Sequence, residues 1–268
     1  MHIVVCIKQV PDSAQIRVHP VTNTIMRQGV PTIINPYDLF ALEEALRLRD
    51  KLGGEVTVLT MGPPTAEDSL RKALTIGANR AVLLTDRFFA GSDTLATSYA
   101  LAAAIRKIGS TFGAVDVVFT GKQTIDGDTA QVGPQIGEKL GLPQVTYAAD
   151  IQKTGDTVTV KRMLEDGYMT IKVKTPCLLT CIKELNAPRY MSVGGIFEAY
   201  GKPLATFDYE TLKDDALIDP STIGLKGSPT NILTSFTPPL KGAGMMLEGA
   251  DKEACEKLVG ILSAKHII

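Results

Sequence analysis

The residues best suited to chemistry lie in the stretch GKQTIDGDTAQVG, residues 121–133, which directly follows an apolar run. Loop glycines let backbone N–H groups approach an anion closely, and a helix starting here would add partial positive charge, which favours a phosphate. Asp126 and Asp128 oppose this, because carboxylates repel phosphate. They suit hydrogen bonds from a ribose or from backbone N–H groups better than a divalent metal, which needs more oxygen ligands and for which Lys122 is a poor neighbour.

A structural role for this glycine-rich segment, residues 121–133, stays open on spacing alone. Asp128 and Gln131 have the separation of a helix-capping pair, although Pro134 removes one backbone donor early in such a helix. A second candidate is SDTLATS at residues 92–98, in which Ser92 or Asp93 is expected to cap a helix over Thr94–Ile108. It places Thr94 and Thr97 on the first turns of a helix, where they either form part of a routine helix start or contact a ligand.

Composition excludes several other classes of function. The chain has 268 residues, a net charge of −1 and 44% hydrophobic residues, so we expect one large or two small globular domains and no attraction to nucleic acid. No apolar run reaches the roughly 18 residues of a membrane span, and MHIVVCIKQ is typical of a strand rather than a signal peptide, so we expect a cytoplasmic protein. Four cysteines without a CxxC and three histidines predict buried thiols, no metal site and no histidine relay.

Alternating strand and helix signals occupy the first half of the chain and predict a parallel, doubly wound α/β sheet. Asn35 is expected to cap the first helix, with Pro36 at its first position and Asp38 in its first turn. The expected strands are Ile3–Ile7, Val56–Met61, Ala81–Thr85 and Val115–Thr120, and the expected helices begin near Asn35, Thr65, Thr94 and Thr129. In such a sheet ligands bind beyond the carboxyl ends of the strands, where residues 8–12, 61–65, 86–93 and 121–131 form loops.

The second half of the chain has a different sequence pattern, without the regular alternation of strand and helix signals. Short β-rich runs at Gln144–Ala149, Thr157–Met163, Thr170–Val173 and Cys177–Ile182 predict strands that extend or flank the same sheet, with a hairpin at EDGY, residues 165–168. After Gly201 repeated prolines leave Lys252–Ser263 as the expected helix. We therefore expect an α/β domain over residues 1–200 and an extended arm over residues 201–268. The arm either wraps a partner or is a flexible tail, and its apolar residues, which need burial, favour the partner.

Five stretches of the chain form one combined pattern: VVCIKQVPD, INPYDLFALEEALRL, TMGPP, GKQTIDGDTAQVG and VKRMLEDGYMTIKVKTPCLLTCIKELNAPRYMSV. Together they resemble the beta (small) subunit of electron transfer flavoprotein, of the electron-bifurcating group. The resemblance covers residues 3–200 and continues weakly to the last helix. The family signature is met by Arg162, by EDG at residues 165–167, by Ile171 and by PCLLT at residues 176–180, whereas Met169 stands where Glu or Gln is usual.

The resemblance implies a five-stranded doubly wound core that binds an adenine nucleotide, in a heterodimer with an FAD-containing alpha subunit. In simple carriers the nucleotide is a structural AMP, and in bifurcating members it is a second FAD. NPYD and AGSDTLATS resemble the bifurcating group, so FAD is expected here and AMP is the alternative. The implied cofactor-binding residues are Cys6, Asn35, Pro36, Tyr37, Asp38, Met61, Thr94, Thr97, Asp126, Gly127, Asp128, Thr129, Ala130, Gln131, Val132, Gly133, Pro134 and Gln135.

The same resemblance implies a function without a catalytic side chain, because the cofactor performs the redox chemistry. NADH would deliver a hydride to the small-subunit FAD, and the electrons would pass to a low-potential acceptor such as ferredoxin and to an acyl-CoA dehydrogenase-like flavoenzyme. Leu185, in KELNAPRY, would dock on that dehydrogenase, or else be a core residue at a strand end. A stand-alone ATP-binding stress-type module would not need the arm, and an ATP pyrophosphatase would need a glycine- and serine-rich loop where KQVPDS stands.

Overall fold

A computed structural model describes residues 1–12, 31–230, 232–234, 242 and 244–268. The described residues fall into two compact units, one ending at Leu233 and the other containing the residues from Thr234 onward. The sheet and the predicted nucleotide site belong to the first unit. The second contains the C-terminal helix, and no residue of that helix is buried.

The first unit is organised around one large sheet. In chain order the strands are β1 (His2–Cys6), β2 (Gln9–Pro11), β3 (Thr32–Ile34), β4 (Glu55–Met61), β5 (Arg80–Leu84), β6 (Val117–Gly121), β7 (Gln144–Thr154), β8 (Thr157–Met163), β9 (Tyr168–Lys174), β10 (Cys177–Cys181) and β11 (Leu204–Phe207). Within the described residues, nine of them form a sheet in the order β11-β5-β4-β1-β6-β10-β7-β8-β9, while β2 pairs with β3. Neighbours from β11 to β7 are parallel, and β7, β8 and β9 are antiparallel.

Helices cover both faces of this sheet, as a doubly wound fold requires. They are α1 (Pro36–Leu52), α2 (Glu67–Ile76), α3 (Thr94–Phe112), α4 (Val132–Leu140), α5 (Val193–Glu198), α6 (Tyr209–Leu212) and α7 (Lys252–Ala264). Because successive strand residues point to opposite faces, neighbours on β1 enter different cores. Ile3 and Val5 pack with α1 and α2 through Leu42 and Leu70, while Val4 packs with α3 and α4 through residues that include Ile108 and Ile136.

The predicted fold class is confirmed, including the antiparallel strands that extend the parallel core. Two elements after Gly201 were missed by the sequence analysis, which expected only the terminal helix there. Strand β11 pairs in parallel with β5 at the edge of the sheet, and α6 follows it. A strand of four residues has too little periodicity to be recognised by itself, since its stability comes from pairing with Ala81–Leu84.

Helices long and apolar enough to cross a bilayer were sought among the described residues, and none was found.

Candidate functional site

The predicted site lies where the order of the sheet reverses. Strand β1 pairs with β4 on one side and with β6 on the other, so the loops that follow β1 and β6 diverge at their carboxyl ends. The glycine-rich segment starts at the end of β6, Cys6 ends β1 and Met61 ends β4. The topology therefore brings these predicted residues to one edge of the sheet.

Asp38 joins two of these loops from the first turn of α1. Its side chain is buried, and its carboxylate accepts hydrogen bonds from the backbone N–H of Lys8 at 2.8 Å and of Gly121 at 3.1 Å. Burial raises the pKa of Asp38 to about 7, against the opposing effect of these donors. Position 121 has no room for a side chain, because a Cβ there would collide with the Asp38 carboxylate and with Tyr37. Asp38 thus fixes the spacing between the ends of β1 and β6.

Asn35 has a role that the sequence analysis did not predict. It is the N-cap residue of α1, as predicted, but its side chain does not make the expected capping hydrogen bond. Instead its Nδ2 donates to the carbonyl of Gln123 at 2.8 Å, and its Oδ1 accepts from the N–H of Ile125 at 3.2 Å. The fully buried amide therefore binds the glycine-rich segment rather than its own helix, which satisfies loop groups that would otherwise lack partners.

The two carboxylates of the glycine-rich segment, Asp126 and Asp128, have partners outside the segment and near its start. The Nζ of Lys8 lies 2.9 Å from both carboxylate oxygens of Asp126. Burial alone would raise the pKa of Asp126, and the Lys8 ammonium more than offsets this and lowers it. Asp128 accepts a hydrogen bond of 2.7 Å from Nε2 of Gln123. Neither Lys8 nor Gln123 was named as a site residue, although Lys8 directly follows the first strand and its loop was expected at this edge.

Helix α4 begins later than predicted and without a side-chain cap. Its N-cap residue is Gln131, so the predicted capping pair of Asp128 and Gln131 is wrong. Asp128 and Ala130 adopt left-handed backbone conformations, with φ of 51° and 54°. Among the residues that the structure describes, the backbone N–H groups of residues 129–133 have no hydrogen-bond acceptor. Donors at a helix N-terminus fit a phosphate.

Gln135 adds a hydrogen-bond acceptor near the start of α4. Its Oε1 is buried and has no hydrogen-bond partner within the described part of the chain. An unpaired buried acceptor is costly, and an amino or hydroxyl donor of a nucleotide would satisfy it. The donors of residues 129–133 and this acceptor together suit a ligand that carries both a phosphate and a hydrogen-bond donor.

The start of α3 lies beside the start of α4. Asp93 caps α3 as predicted, with Oδ1 accepting from the N–H of Ala96 at 3.0 Å. The next residue, Thr94, donates its hydroxyl to Oε1 of Gln131 at 2.8 Å. Thr97, one turn further along α3, is half-buried. Two helix N-termini, each with a partial positive charge, therefore meet at this edge of the sheet.

The remaining predicted cofactor residues surround these groups. Pro36 and Tyr37 start α1, and the Tyr37 ring packs edge-on against Phe40 with centroids 6.5 Å apart. Burial, with a further contribution from Asp38, raises the pKa of the Cys6 thiol to about 12, so it stays protonated. Gly127 and Thr129 lie in the exposed part of the glycine-rich segment, whereas Val132, Gly133 and Pro134 form the first turn of α4.

Leu185 ends a short 3-10 turn, Lys183–Leu185, and packs against the core while remaining partly exposed. The loop around it is attached to α1. Asn186 donates to the carbonyl of Phe40 at 3.0 Å and to Oε2 of Glu44 at 3.1 Å. Arg189 binds the buried Glu43 with Nε at 2.8 Å and Asp50 with Nη1 at 2.8 Å. Helix α1 thus supports both the carboxyl edge of the sheet, where the nucleotide site is predicted, and the loop of Leu185.

Comparisons with known proteins identify the family. The sequence model described as "Electron transfer flavoprotein domain" matches residues 22–211. The chain is 58% identical over 270 residues to the acryloyl-CoA reductase electron transfer subunit gamma of Anaerotignum propionicum, with both chains fully covered. It is 54% identical over 268 residues to the electron transfer flavoprotein subunit beta of Thermoanaerobacterium thermosaccharolyticum, again with full coverage of both. It is 50% identical over 270 residues to the caffeyl-CoA reductase-Etf complex subunit CarD of Acetobacterium woodii, also over both full lengths. The chain therefore belongs to the electron transfer flavoprotein family, as a subunit of its beta type.

Proposed function

We propose that this chain binds FAD and pairs with an electron transfer flavoprotein alpha subunit that holds a second FAD. In this proposal the complex takes electrons from NADH and divides them, by flavin-based bifurcation, between a low-potential acceptor such as ferredoxin and an acyl-CoA dehydrogenase-like flavoenzyme. The names of two relatives, an acryloyl-CoA reductase subunit and a caffeyl-CoA reductase complex subunit, support a partner that acts on CoA thioesters.

One observation carries the preference for FAD. The hydroxyl of Thr94 lies 2.8 Å from Oε1 of Gln131, so the N-termini of α3 and α4 are adjacent. A single phosphate needs one such helix start, whereas the diphosphate of FAD can use two. The uncapped start of α4 would hold one phosphate, and the start of α3, with Thr94 and Thr97, would hold the other and the chain leading to the flavin.

In this proposal the side chains of the protein bind and orient the nucleotide and neutralise the charge beside its phosphates. Asn35 and Asp38 hold the glycine-rich segment in place, and Lys8 removes the repulsion that Asp126 would exert on a phosphate. The acceptor of Gln135 would receive a hydrogen bond from the nucleotide. When bound, FAD supplies hydride and single-electron transfer.

We further propose that residues 234–268, the distal part of the expected arm over residues 201–268, pack on the alpha subunit. The helix α7 supports this, since Leu258 and Val259 are about half exposed and gain by burial against a partner. Leu185 would contribute to docking of the dehydrogenase. Large exposed side chains follow it in the chain, namely Tyr190, Val193, Phe197 and Tyr200, and a surface of this kind is typical of protein contacts.

The alternative is a non-bifurcating carrier in which AMP is structural. A specific observation favours it, because the Thr94 hydroxyl already has a partner in Gln131 and does not need a second phosphate. In that case the starts of α3 and α4 would stabilise each other, and only α4 would contact the nucleotide.

The experiment that tests the proposal is a count of nucleotides in the heterodimer purified with its alpha subunit. Two FAD and no AMP per heterodimer is the expected result, and one FAD with one AMP would overturn it. Thr94→Val should lower the flavin content toward one FAD, because the hydroxyl at the start of α3 is lost. Thr75→Val is the matched control, since that hydroxyl makes an exposed hydrogen bond to the carbonyl of Lys72 within α2, and this variant should retain both FAD molecules.

A further inference from the structure

A segment just before the C-terminal unit is bound to the start of α3. We name residues 224–230 the anchor segment. The N–H of Leu225 donates to the carbonyl of Ala90 at 3.1 Å, and the N–H of Gly224 donates to Oγ of Ser92 at 3.2 Å. Three residues after the anchor segment, at Leu233, the first compact unit ends. The chain that leads into the C-terminal unit is therefore bound to the loop that precedes α3.

Ser228 is the buried centre of this contact. Its Oγ accepts the backbone N–H of Asp93 at 2.8 Å and donates to the carbonyl of Gly224 at 2.7 Å. Gly224 has a left-handed φ of 65°, and a Cβ at this position would collide with the carbonyl of Phe88. The close approach of the two segments thus depends on a buried hydroxyl and on a residue without a side chain, which makes the contact specific.

Asp93 connects the anchor segment to the predicted nucleotide site. One carboxylate oxygen, Oδ1, caps α3 by accepting from Ala96, and the other, Oδ2, accepts the N–H of Thr230 at 3.0 Å. The next residue, Thr94, reaches Gln131 of the glycine-rich segment. Asp93 and Thr94, which are consecutive, therefore link the anchor segment to the start of α4 through hydrogen bonds.

We propose that Asp93, held by the anchor segment, is a positioning residue that makes the site selective for FAD over AMP. This inference rests on the proposed function, in which the second phosphate lies at the start of α3. Asp93 sets where that helix begins, and the anchor segment sets the orientation of Asp93. In this arrangement the single phosphate of AMP lies beside α4 and does not contact α3, so AMP binding should depend less on the position of α3 than FAD binding does.

Two variants of the full-length chain test this by titration with FAD and, separately, with AMP. Ser228→Ala removes the acceptor of the Asp93 N–H and leaves the cap of α3 intact. Asp93→Asn keeps one acceptor oxygen, but in either orientation its NH2 faces one of the two N–H groups that the carboxylate accepted. Ser228→Ala should weaken FAD binding about tenfold, the usual effect of one lost hydrogen bond, and Asp93→Asn by less, because it also removes a negative charge beside the phosphate. AMP binding should change by less than about twofold, as for a remote surface substitution.

Asp251→Asn is the matched control. Asp251 also caps a helix, with Oδ1 accepting from Ala254 at 2.9 Å, but it lies at the start of α7. It should change neither affinity. Equal losses of FAD and AMP affinity in Ser228→Ala would mean that the anchor segment only stabilises the fold, and unchanged FAD binding in both variants would also overturn the inference. Wild-type protein that binds AMP but not FAD would instead contradict the proposed function.

Discussion

The ammonium of Lys8 lies 2.9 Å from each carboxylate oxygen of Asp126, although 118 residues separate the two in the chain. The Asp126 side chain is largely buried, whereas that of Lys8 is partly exposed. This ion pair turns a carboxylate that would repel a phosphate into a neutral part of the loop wall. It also ties the end of β1 to the glycine-rich segment after β6.

Replacement of Lys8 by Met should weaken adenine-nucleotide binding. The carboxylate of Asp126 would lose its counter-ion and place a net negative charge beside the phosphate, so we expect AMP affinity to fall about tenfold. The double variant Lys8→Met/Asp126→Asn should recover most of the loss, because the repulsive charge is removed. Titration calorimetry with AMP measures both effects.

Lys174→Met is the control for this experiment. Lys174 and Asp156 form a pair at 4.0 Å in which both side chains are strongly exposed, so its loss should change AMP affinity by less than about twofold. If the double variant bound AMP as weakly as Lys8→Met alone, charge repulsion by Asp126 would not be the cause.

Asp38 should give the protein a pH-dependent stability. Its pKa rises from an ordinary value of 3.8 to about 7 in the folded state, so between these values the folded chain retains a proton that the unfolded chain has lost. The free energy of unfolding therefore falls as pH rises from about 4 to about 7. Asp38→Asn should lose this slope and also be less stable by about 1–3 kcal/mol, because its NH2 faces a backbone donor. Urea unfolding across this pH range measures both.

The groups that face Asp38 are Lys8, Asn35 and the thiols of Cys6 and Cys181. The pKa of Cys6 is raised to about 12 and that of Cys181 is raised well above its ordinary value, so neither thiol titrates in this window. Cys6→Ser should therefore keep the slope. Identical slopes in wild type and Asp38→Asn would show that another group is responsible.

Gly121→Ala should be destabilising because its Cβ would meet the Asp38 carboxylate and the backbone of Tyr37. We expect a loss of about 1–3 kcal/mol in the free energy of unfolding, as for other overpacked sites. Gly127→Ala is the matched control in the same loop. Its nearest heavy atom would be Oγ1 of Thr124 at 3.4 Å, so it should change stability by less than about 0.5 kcal/mol. Similar losses in both variants would argue against the collision.

Arg189→Ala should free the loop of Leu185 from α1. Glu43 is buried, and Arg189 binds it through Nε and the backbone N–H, so we expect a loss of about 1–3 kcal/mol and faster hydrogen exchange across residues 183–190. Arg106→Ala removes a half-exposed partner of Asp215 at 3.2 Å and should leave this exchange unchanged. Unaltered exchange in Arg189→Ala would mean that Asn186 and the backbone N–H of residue 189 are enough to hold the loop.

The parts of this fold that the sequence predicted are those determined locally. Strands β1, β4, β5, β6 and β10 are buried apolar runs, and the parallel direction of the first four follows from their alternation with helices. Asp93 was expected as a possible cap of α3, and it caps that helix, because a cap concerns residues within one turn. The same rule gave the wrong result at Asn35 and Asp128, where distant or loop partners compete for the side chain.

The position of the glycine-rich segment could be predicted from the sequence, but its contacts could not. The glycine-rich segment reaches the carboxyl edge of the sheet as expected, since that depends only on its place after β6. The pairing of Lys8 with Asp126 and the double hydrogen bond of Asp38 depend on the three-dimensional path of the chain. No spacing rule connects these residues, which lie 30 to 118 positions apart in the chain.

The place of β10 in the sheet affects the protein as it is synthesised. This strand lies between β6 and β7 but follows β9 in the chain, so β6 has a neighbour on only one side until β10 emerges. Cys181 lies 60 residues after Gly121, a delay of about 3–12 s at ribosomal rates of about 5–20 residues per second. For that time the nascent chain presents the open edge of an apolar strand, Val117–Gly121, to chaperones and to other chains.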